Sequence, residues 1–187
     1  MPKRQKQSSL DQIASKHLGF DGLRPGQEAG LNTLLDGHDT LVVMPTGGGK
    51  SAIYQMAALL IPGVTVVVSP LIALQRDQAH AIDGQDVGSA AVLNSTLGKG
   101  AREQTLADLE NGEIEFLFLA PEQLANAETL ARVQAARPSL FVVDEAHCIS
   151  AWGHDFRPDY LNLGAAIAAL GHPRVLALTA TAAPPIR

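Results

Sequence analysis

Three consecutive glycines followed by lysine and serine, Gly47-Gly48-Gly49-Lys50-Ser51, stand between an apolar run (Thr40 to Met44) and a segment of helical character (Ala52 to Leu60). The chemistry that this order suits is the holding of phosphates. Glycines let backbone N–H groups converge on phosphate oxygens with no Cβ in the way, and a helix N-terminus adds partial positive charge. Pro45 and Thr46 open the turn, Lys50 is the candidate to neutralise β- and γ-phosphates, and the Ser51 hydroxyl is a candidate Mg²⁺ ligand. The generic pattern G-x-x-x-x-G-K-[ST] would put its first glycine at Met44, so the match is incomplete.

A second set of candidates follows the apolar run Leu140 to Val143. There, Asp144 is placed to hold Mg²⁺ opposite Ser51, and Glu145 to orient and deprotonate an attacking water. The bland alternative is an acidic helix N-terminus stabilised by the helix dipole. His147 is either a link from the phosphate site to the strand bearing Thr179 and Thr181, or an ordinary structural hydrogen bonder. The segment Ser150 to Pro158 holds Trp152, His154, Phe156 and Arg157, side-chain types that stack on single-stranded bases. Its alternative is a loop folded back on the core with Trp152 as anchor.

These residues need elements to position them, and the hydrophobic pattern supplies them. Apolar runs recur at Leu41–Met44, Val64–Ser69, Val87–Leu93, Phe116–Ala120, Leu140–Val143 and Val175–Leu178. Helix-like segments lie between: Ala52–Leu60, Leu71–Ile82, Gly100–Asn111, Glu122–Ala136 and Pro158–Leu170. Continuous apolar strands alternating with helices specify an α/β fold with a mostly parallel sheet covered on both faces, a three-layer αβα arrangement. Ligands of such sheets bind beyond the carboxyl ends of the strands. Short polar signatures fall there: Ser69-Pro70, Ala120-Pro121-Glu122, Asp144-Glu145 and Thr179-Ala180-Thr181. Upstream, two helices are expected, Leu10 to Leu18 and Pro25 or Gln27 to Leu35, joined by a turn-rich stretch containing Phe20 and Arg24.

Bulk properties bound the classes that remain. The chain has 187 residues, 46% of them hydrophobic and 18% charged, which suits one globular domain and not a disordered chain. Residues 1–9 are basic with no apolar stretch behind them, so they are expected as a flexible solvated tail preceding a domain of residues 10–187, not as a secretory signal. No apolar run approaches the ~20 residues of a membrane span, and no membrane partner is expected. The single cysteine, Cys148, excludes an internal disulfide and a multi-cysteine zinc site. The net charge of −5 implies that any nucleic-acid contact is local or supplied partly from outside this chain.

The stretches Leu23–Gln27, Met44–Ser51, Val67–Ile72, Ala120–Glu122, Val143–Ser150, Trp152–Pro158 and Ala177–Ala182 together resemble the RecQ-type DNA helicases, within the DEAD/DEAH-box superfamily. The resemblance covers most of the chain, and the run from Asp144 to Pro158 is its most specific part. It implies a RecA-like P-loop fold, the cofactors ATP and Mg²⁺, and unwinding of duplex DNA with 3′→5′ polarity in replication, recombination or repair. It also implies that Phe20, Arg24 and Gln27 hold the adenine, with Gln27 making the base-specific contacts. Ser69, Pro70 and the segment Trp152 to Arg157 would bind single-stranded or junction DNA, and Thr179 and Thr181 would couple hydrolysis to unwinding. A cytoplasmic, nucleoid-associated setting follows from the same resemblance.

Two departures are visible. Leu23 stands where the family often has an aromatic, and Gln123 where it often has a basic residue. Family members also carry a second RecA-like lobe that supplies arginines, and many add zinc and winged-helix regions. The expectation is therefore a single lobe, truncated, that needs the second lobe in cis or in trans and is weakly active or inactive by itself. The alternatives are an RNA-directed ATPase of the same superfamily and a non-catalytic nucleotide- or DNA-binding regulatory module.

Overall fold

The strands of this chain are short runs rich in β-branched, leucine and aromatic residues, and three of them, Thr65–Val68, Phe116–Leu119 and Leu140–Val143, bury side chains on both faces, which dictates a sheet sandwiched between helices. The computed structural model, which describes residues 3–85, 87–149 and 157–181, has this architecture. Six strands, β1 (Thr40–Val43), β2 (Thr65–Val68), β3 (Ala90–Leu93), β4 (Phe116–Leu119), β5 (Leu140–Val143) and β6 (Arg174–Thr179), form one sheet in the order β1-β6-β5-β2-β4-β3. Every pairing is parallel; Val43 lies opposite Thr179, and Val68 lies between Leu119 and Val143.

Strand β4 shows how the faces are divided. Phe116 and Phe118 pack with α1 (Lys3–Leu18), α2 (Pro25–Leu35), α3 (Ser51–Leu60) and α4 (Ile72–Asp83). Leu117 and Leu119 pack with α5 (Lys99–Glu110), α6 (Ala127–Ala135) and α7 (Leu163–Ala169). The chain returns from β1 through α3 to β2, which lies on the far side of β6 and β5. That jump opens a crevice at the carboxyl ends of β1, β6 and β5, where the Gly-rich turn and Asp144-Glu145 both sit.

Several boundaries differ from those the pattern suggests, for local reasons. The first helix begins at Lys3, so the basic segment expected as a tail is helical from that residue onward. Strand β3 starts at Ala90 because Gly88 has φ +144° and Ser89 turns aside, its N–H donating to Glu115 Oε2 at 2.6 Å. The long helix expected over Glu122–Ala136 is two elements, a 3₁₀ turn at Pro121–Ala125 and then α6. Asn126 separates them as an N-cap, its Oδ1 accepting from the Thr129 N–H at 3.0 Å. Likewise Pro158–Asn162 is a 3₁₀ turn ahead of α7.

Candidate nucleotide-binding and coupling site

The phosphate turn is anchored at its start by the Met44 N–H, which donates to the Thr179 carbonyl at 3.0 Å, so the turn grows directly from the β1–β6 pair. Two glycines in it are required, Gly48 by space and Gly49 by its backbone conformation. A Cβ on Gly48 would lie 2.8 Å from the Pro45 carbonyl oxygen, and one on Gly49 would lie 2.5 Å from Gln27 Nε2. Gly49 also has φ +74°, in the left-handed region that favours glycine. The turn thus admits no side chain where its backbone must face a ligand. Lys50 donates from Nζ to the Met44 carbonyl at 3.2 Å, and Ser51 opens α3.

Gln27 ties the preceding segment to this turn. Its Nε2 donates to the carbonyls of Gly49 (2.8 Å) and Gly48 (3.3 Å), and its Oε1 accepts from the Arg24 N–H at 2.8 Å. Arg24 Nη1 donates to the Gly47 carbonyl at 3.3 Å. Phe20, Arg24, Gln27 and Gly49 line a cavity of about 400 Å³, with the Phe20 ring partly exposed. The three residues assigned to the adenine are thus brought together. Both ends of the Gln27 amide are engaged by backbone, so a base contact there exchanges one of these bonds.

Across the crevice, Asp144 is buried at the end of β5, and its Oδ1 accepts from the Glu145 N–H at 3.0 Å. Burial, and next the charge of Glu145, push the Asp144 carboxyl up to about 6. Glu145 has φ +49°, which is uncommon for a residue with a side chain. His147 Nδ1 lies 3.2 Å from Glu145 Oε2 and 3.1 Å from Thr179 Oγ1. The Thr179 hydroxyl donates to the Thr181 carbonyl at 2.8 Å, so its oxygen is an acceptor toward the imidazole. Two acceptors facing Nδ1 assign the ring proton to that atom. The Thr181 N–H closes the chain, donating to Thr179 Oγ1 at 3.2 Å.

Two cavities adjoin these groups. One, of about 280 Å³, lies between Gly49, Lys50 and Ser51 on one wall and Asp144 and Glu145 on the other, with Tyr54 and Gln78 also lining it. The second, of about 390 Å³, is lined by Thr46, Pro70, Glu145, His147, Arg157 and Thr181. Glu145 faces both. Ser69 is buried at the end of β2, its carbonyl accepting from Gln75 Nε2 at 2.7 Å, while Arg157 is exposed. Trp152, His154 and Phe156 lie outside the described residues.

The donor set fits the expected ion. Ser51 Oγ and the Asp144 and Glu145 carboxylates are hard oxygen ligands, and a buried carboxyl held near 6 beside another acid is relieved by a cation. Among the described residues, no group of three or more His, Cys, Asp or Glu side chains forms a closed metal cage.

Sequence reasoning missed three participants. The Tyr160 hydroxyl donates to the Asp144 carbonyl at 2.9 Å, fixing the strand end from sixteen positions away, and Tyr54 and Gln78 reach the cavity from α3 and α4. Of these, Tyr54 had a usable signal, since it lies one helical turn beyond Ser51. A fourth observation bears on Gln123, whose Oε1 accepts from Arg102 Nη1 at 2.5 Å. An arginine on α5 therefore stands beside the position where the basic side chain is missing.

A parallel α/β fold with a Gly-Lys-Ser turn facing an Asp-Glu strand end defines a P-loop nucleotide-binding lobe. The DEAD/DEAH box helicase family model matches residues 24–187, and the chain belongs to that family. Among its relatives, the probable ATP-dependent DNA helicase RecS of Bacillus subtilis is 43% identical over 175 residues, 94% of this chain and 35% of RecS. ATP-dependent DNA helicase Q5 of Mus musculus is 46% identical over 180 residues, 92% of this chain and 18% of Q5. The RecQ helicase of Haemophilus influenzae is 40% identical over 164 residues, 88% of this chain and 26% of that protein. The chain thus spans about a third or less of the curated relatives it matches. A solved structure of a hypothetical ATP-dependent RNA helicase from Sulfolobus tokodaii superposes with a TM-score of 0.71 at 18% identity, covering 98% of this chain and 52% of that one. The Pyrococcus furiosus Hef helicase domain gives 0.68 at 21% identity, covering 87% and 34%. Both are likenesses of fold.

Proposed function

We propose that the chain is the ATP-binding motor lobe of a RecQ-like DNA helicase, which couples ATP hydrolysis to 3′→5′ movement on single-stranded DNA and to duplex unwinding in recombination, repair or replication. The observation that carries this reading is the unbroken polar path from Glu145 through His147 to Thr179 and Thr181, running from one cavity to the next. The DNA-directed names of the relatives support DNA as the polymer. The setting proposed with it is the cytoplasm, at the nucleoid. Among the described residues, no helix is long and apolar enough to cross a membrane.

In this reading, Phe20, Arg24 and Gln27 hold the adenine, and the backbone of residues 45–49 holds the phosphates with Lys50. Ser51 and Asp144 would hold Mg²⁺, which when bound neutralises charge on the β- and γ-phosphates. Glu145 orients the attacking water and accepts its proton, and His147 keeps that carboxylate aimed. Ser69, Pro70, Trp152, His154, Phe156 and Arg157 serve the DNA side, with Thr179 and Thr181 as the coupling strand end. A second RecA-like lobe, in cis or in trans, supplies the arginine that phosphoryl transfer requires, a contribution worth about 10³–10⁵ in turnover. By itself the chain binds nucleotide and hydrolyses it slowly.

The test is Mg²⁺-dependent ATP hydrolysis with single-stranded DNA, single-stranded RNA or neither, by this chain and by a two-lobed version. Expected are DNA-stimulated turnover in the two-lobed protein, its loss in Lys50→Ala and Glu145→Gln, and retained nucleotide binding in Glu145→Gln. Undiminished turnover in either variant would refute the assigned roles, and stimulation by RNA alone would refute the choice of polymer.

A further inference from the structure

Two polar atoms at the nucleotide cavity are buried and have no hydrogen-bond partner among the described residues: the Tyr54 hydroxyl and Gln78 Oε1. They come from different helices, α3 and α4, and line the same 280 Å³ space as Ser51, Asp144 and Glu145. A buried polar group without a partner is costly because its water is not replaced, so two at one cavity call for an explanation. For Tyr54 this is no accident of loose packing. The Tyr54 ring is 1% exposed and clamped by the edges of Phe116 and Phe118, each with its ring centre 6.3 Å away. Such packing fixes where the hydroxyl sits. Burial and the nearby Asp144 charge also keep that hydroxyl protonated, hence able to donate as well as accept.

We propose that Tyr54 and Gln78 are positioning residues for the divalent cation, hydrogen-bonding the water molecules that complete its coordination beside Ser51 and Asp144. This rests on the nucleotide-site reading and deepens it. Mg²⁺ gives up its water reluctantly and keeps several molecules when bound through few protein groups. Metal-bound water is a strong donor, and the Gln78 carbonyl oxygen and the Tyr54 oxygen are acceptors. The tyrosine O–H is left to donate toward an anionic oxygen, such as that of Asp144 or a phosphate. Outer partners of this kind fix the direct ligands and typically matter about tenfold or more for metal affinity.

The experiment compares the wild-type chain with Tyr54→Phe and Gln78→Leu. Binding of a fluorescent ADP analogue is measured in EDTA and across an Mg²⁺ titration, and the bound cation is read independently through Mn²⁺ paramagnetic resonance. Tyr54→Phe keeps the ring between Phe116 and Phe118, and Gln78 is only partly buried, so thermal melts are expected to confirm intact folds. Expected is nearly wild-type affinity in EDTA for both variants, with the gain from Mg²⁺ reduced by about tenfold and the Mn²⁺ spectrum altered. A gain from Mg²⁺ equal to that of wild type in both variants, with an unchanged spectrum, would overturn the proposal. A wild-type chain that binds the analogue with no gain from Mg²⁺ would instead overturn the cation reading of the whole site, and the proposal with it.

Discussion

At the residue scale, Asp144 pits fold stability against ligand binding. Its carboxyl is raised to about 6 by burial and by Glu145, whereas an unfolded chain holds aspartate near 3.9. Between roughly pH 4 and pH 6 the folded state therefore binds more protons than the unfolded one, and stability falls as pH rises through that window. Above it the penalty is constant, at most about 3 kcal/mol for a shift of some two units. In EDTA at pH 7.5, Asp144→Asn is expected to stabilise the fold by about 1–3 kcal/mol, with the advantage shrinking toward pH 4. Urea melts at several pH values measure this. A destabilised variant at pH 7.5 would show that the carboxylate is already compensated within the protein. The same substitution is expected to weaken the Mg²⁺-dependent part of nucleotide binding, so function here runs against stability. That Lys50, Ser51, Asp144 and Glu145 come together at one cavity was legible from sequence, because each follows the carboxyl end of a strand. The left-handed backbone of Glu145 was not, nor was the protonated Nδ1 of His147, one of whose two partners, Thr179, lies on another strand.

At the element scale, the sheet was readable and the helix ends were not, for one physical reason. Four-residue strands such as Phe116–Leu119 are buried on both faces, and their pattern reflects that burial directly. Helix boundaries depend on single polar side chains, as with Asn126, whose cap splits one apparent helix into two elements. The 3₁₀ turn Pro158–Asn162 is a further case in which a local element serves the site. Its Tyr160, fully buried, ties the turn to the Asp144 carbonyl with one hydrogen bond. Tyr160→Phe leaves that buried carbonyl unpaired while keeping the ring, so a loss of about 1–2 kcal/mol is expected. Denaturant midpoints give the number. The two-lobed form should also lose more DNA stimulation than basal turnover, because the turn follows the aromatic segment and the bond ends just beyond β5, next to Glu145. An equal loss of both activities would make Tyr160 a purely structural residue.

At the scale of the whole molecule, charge constrains the proposed binding of DNA. With 19 acidic against 14 basic residues, the overall field repels a polyanion, so affinity must come from few phosphate contacts and from base stacking. Several arginines are already committed. Arg132 bridges Glu103 and Glu110 at 2.9 and 2.7 Å, and Arg102 is bonded to Gln123 and Thr129. Arg157, exposed beside the second cavity, is better placed for a phosphate. For single strands the salt dependence of log K has a slope of about −0.7 per neutralised phosphate. One or two contacts by this chain would then give a slope of roughly −0.7 to −1.4. Fluorescence anisotropy of a labelled oligonucleotide over a range of salt concentrations measures it. Arg157→Ala is expected to make the slope shallower by about 0.7, and adding the second lobe to make it steeper. A slope beyond about −4 for this chain alone would mean that six or more phosphates are neutralised, and the picture of a stacking-dominated lobe on an acidic body would be wrong.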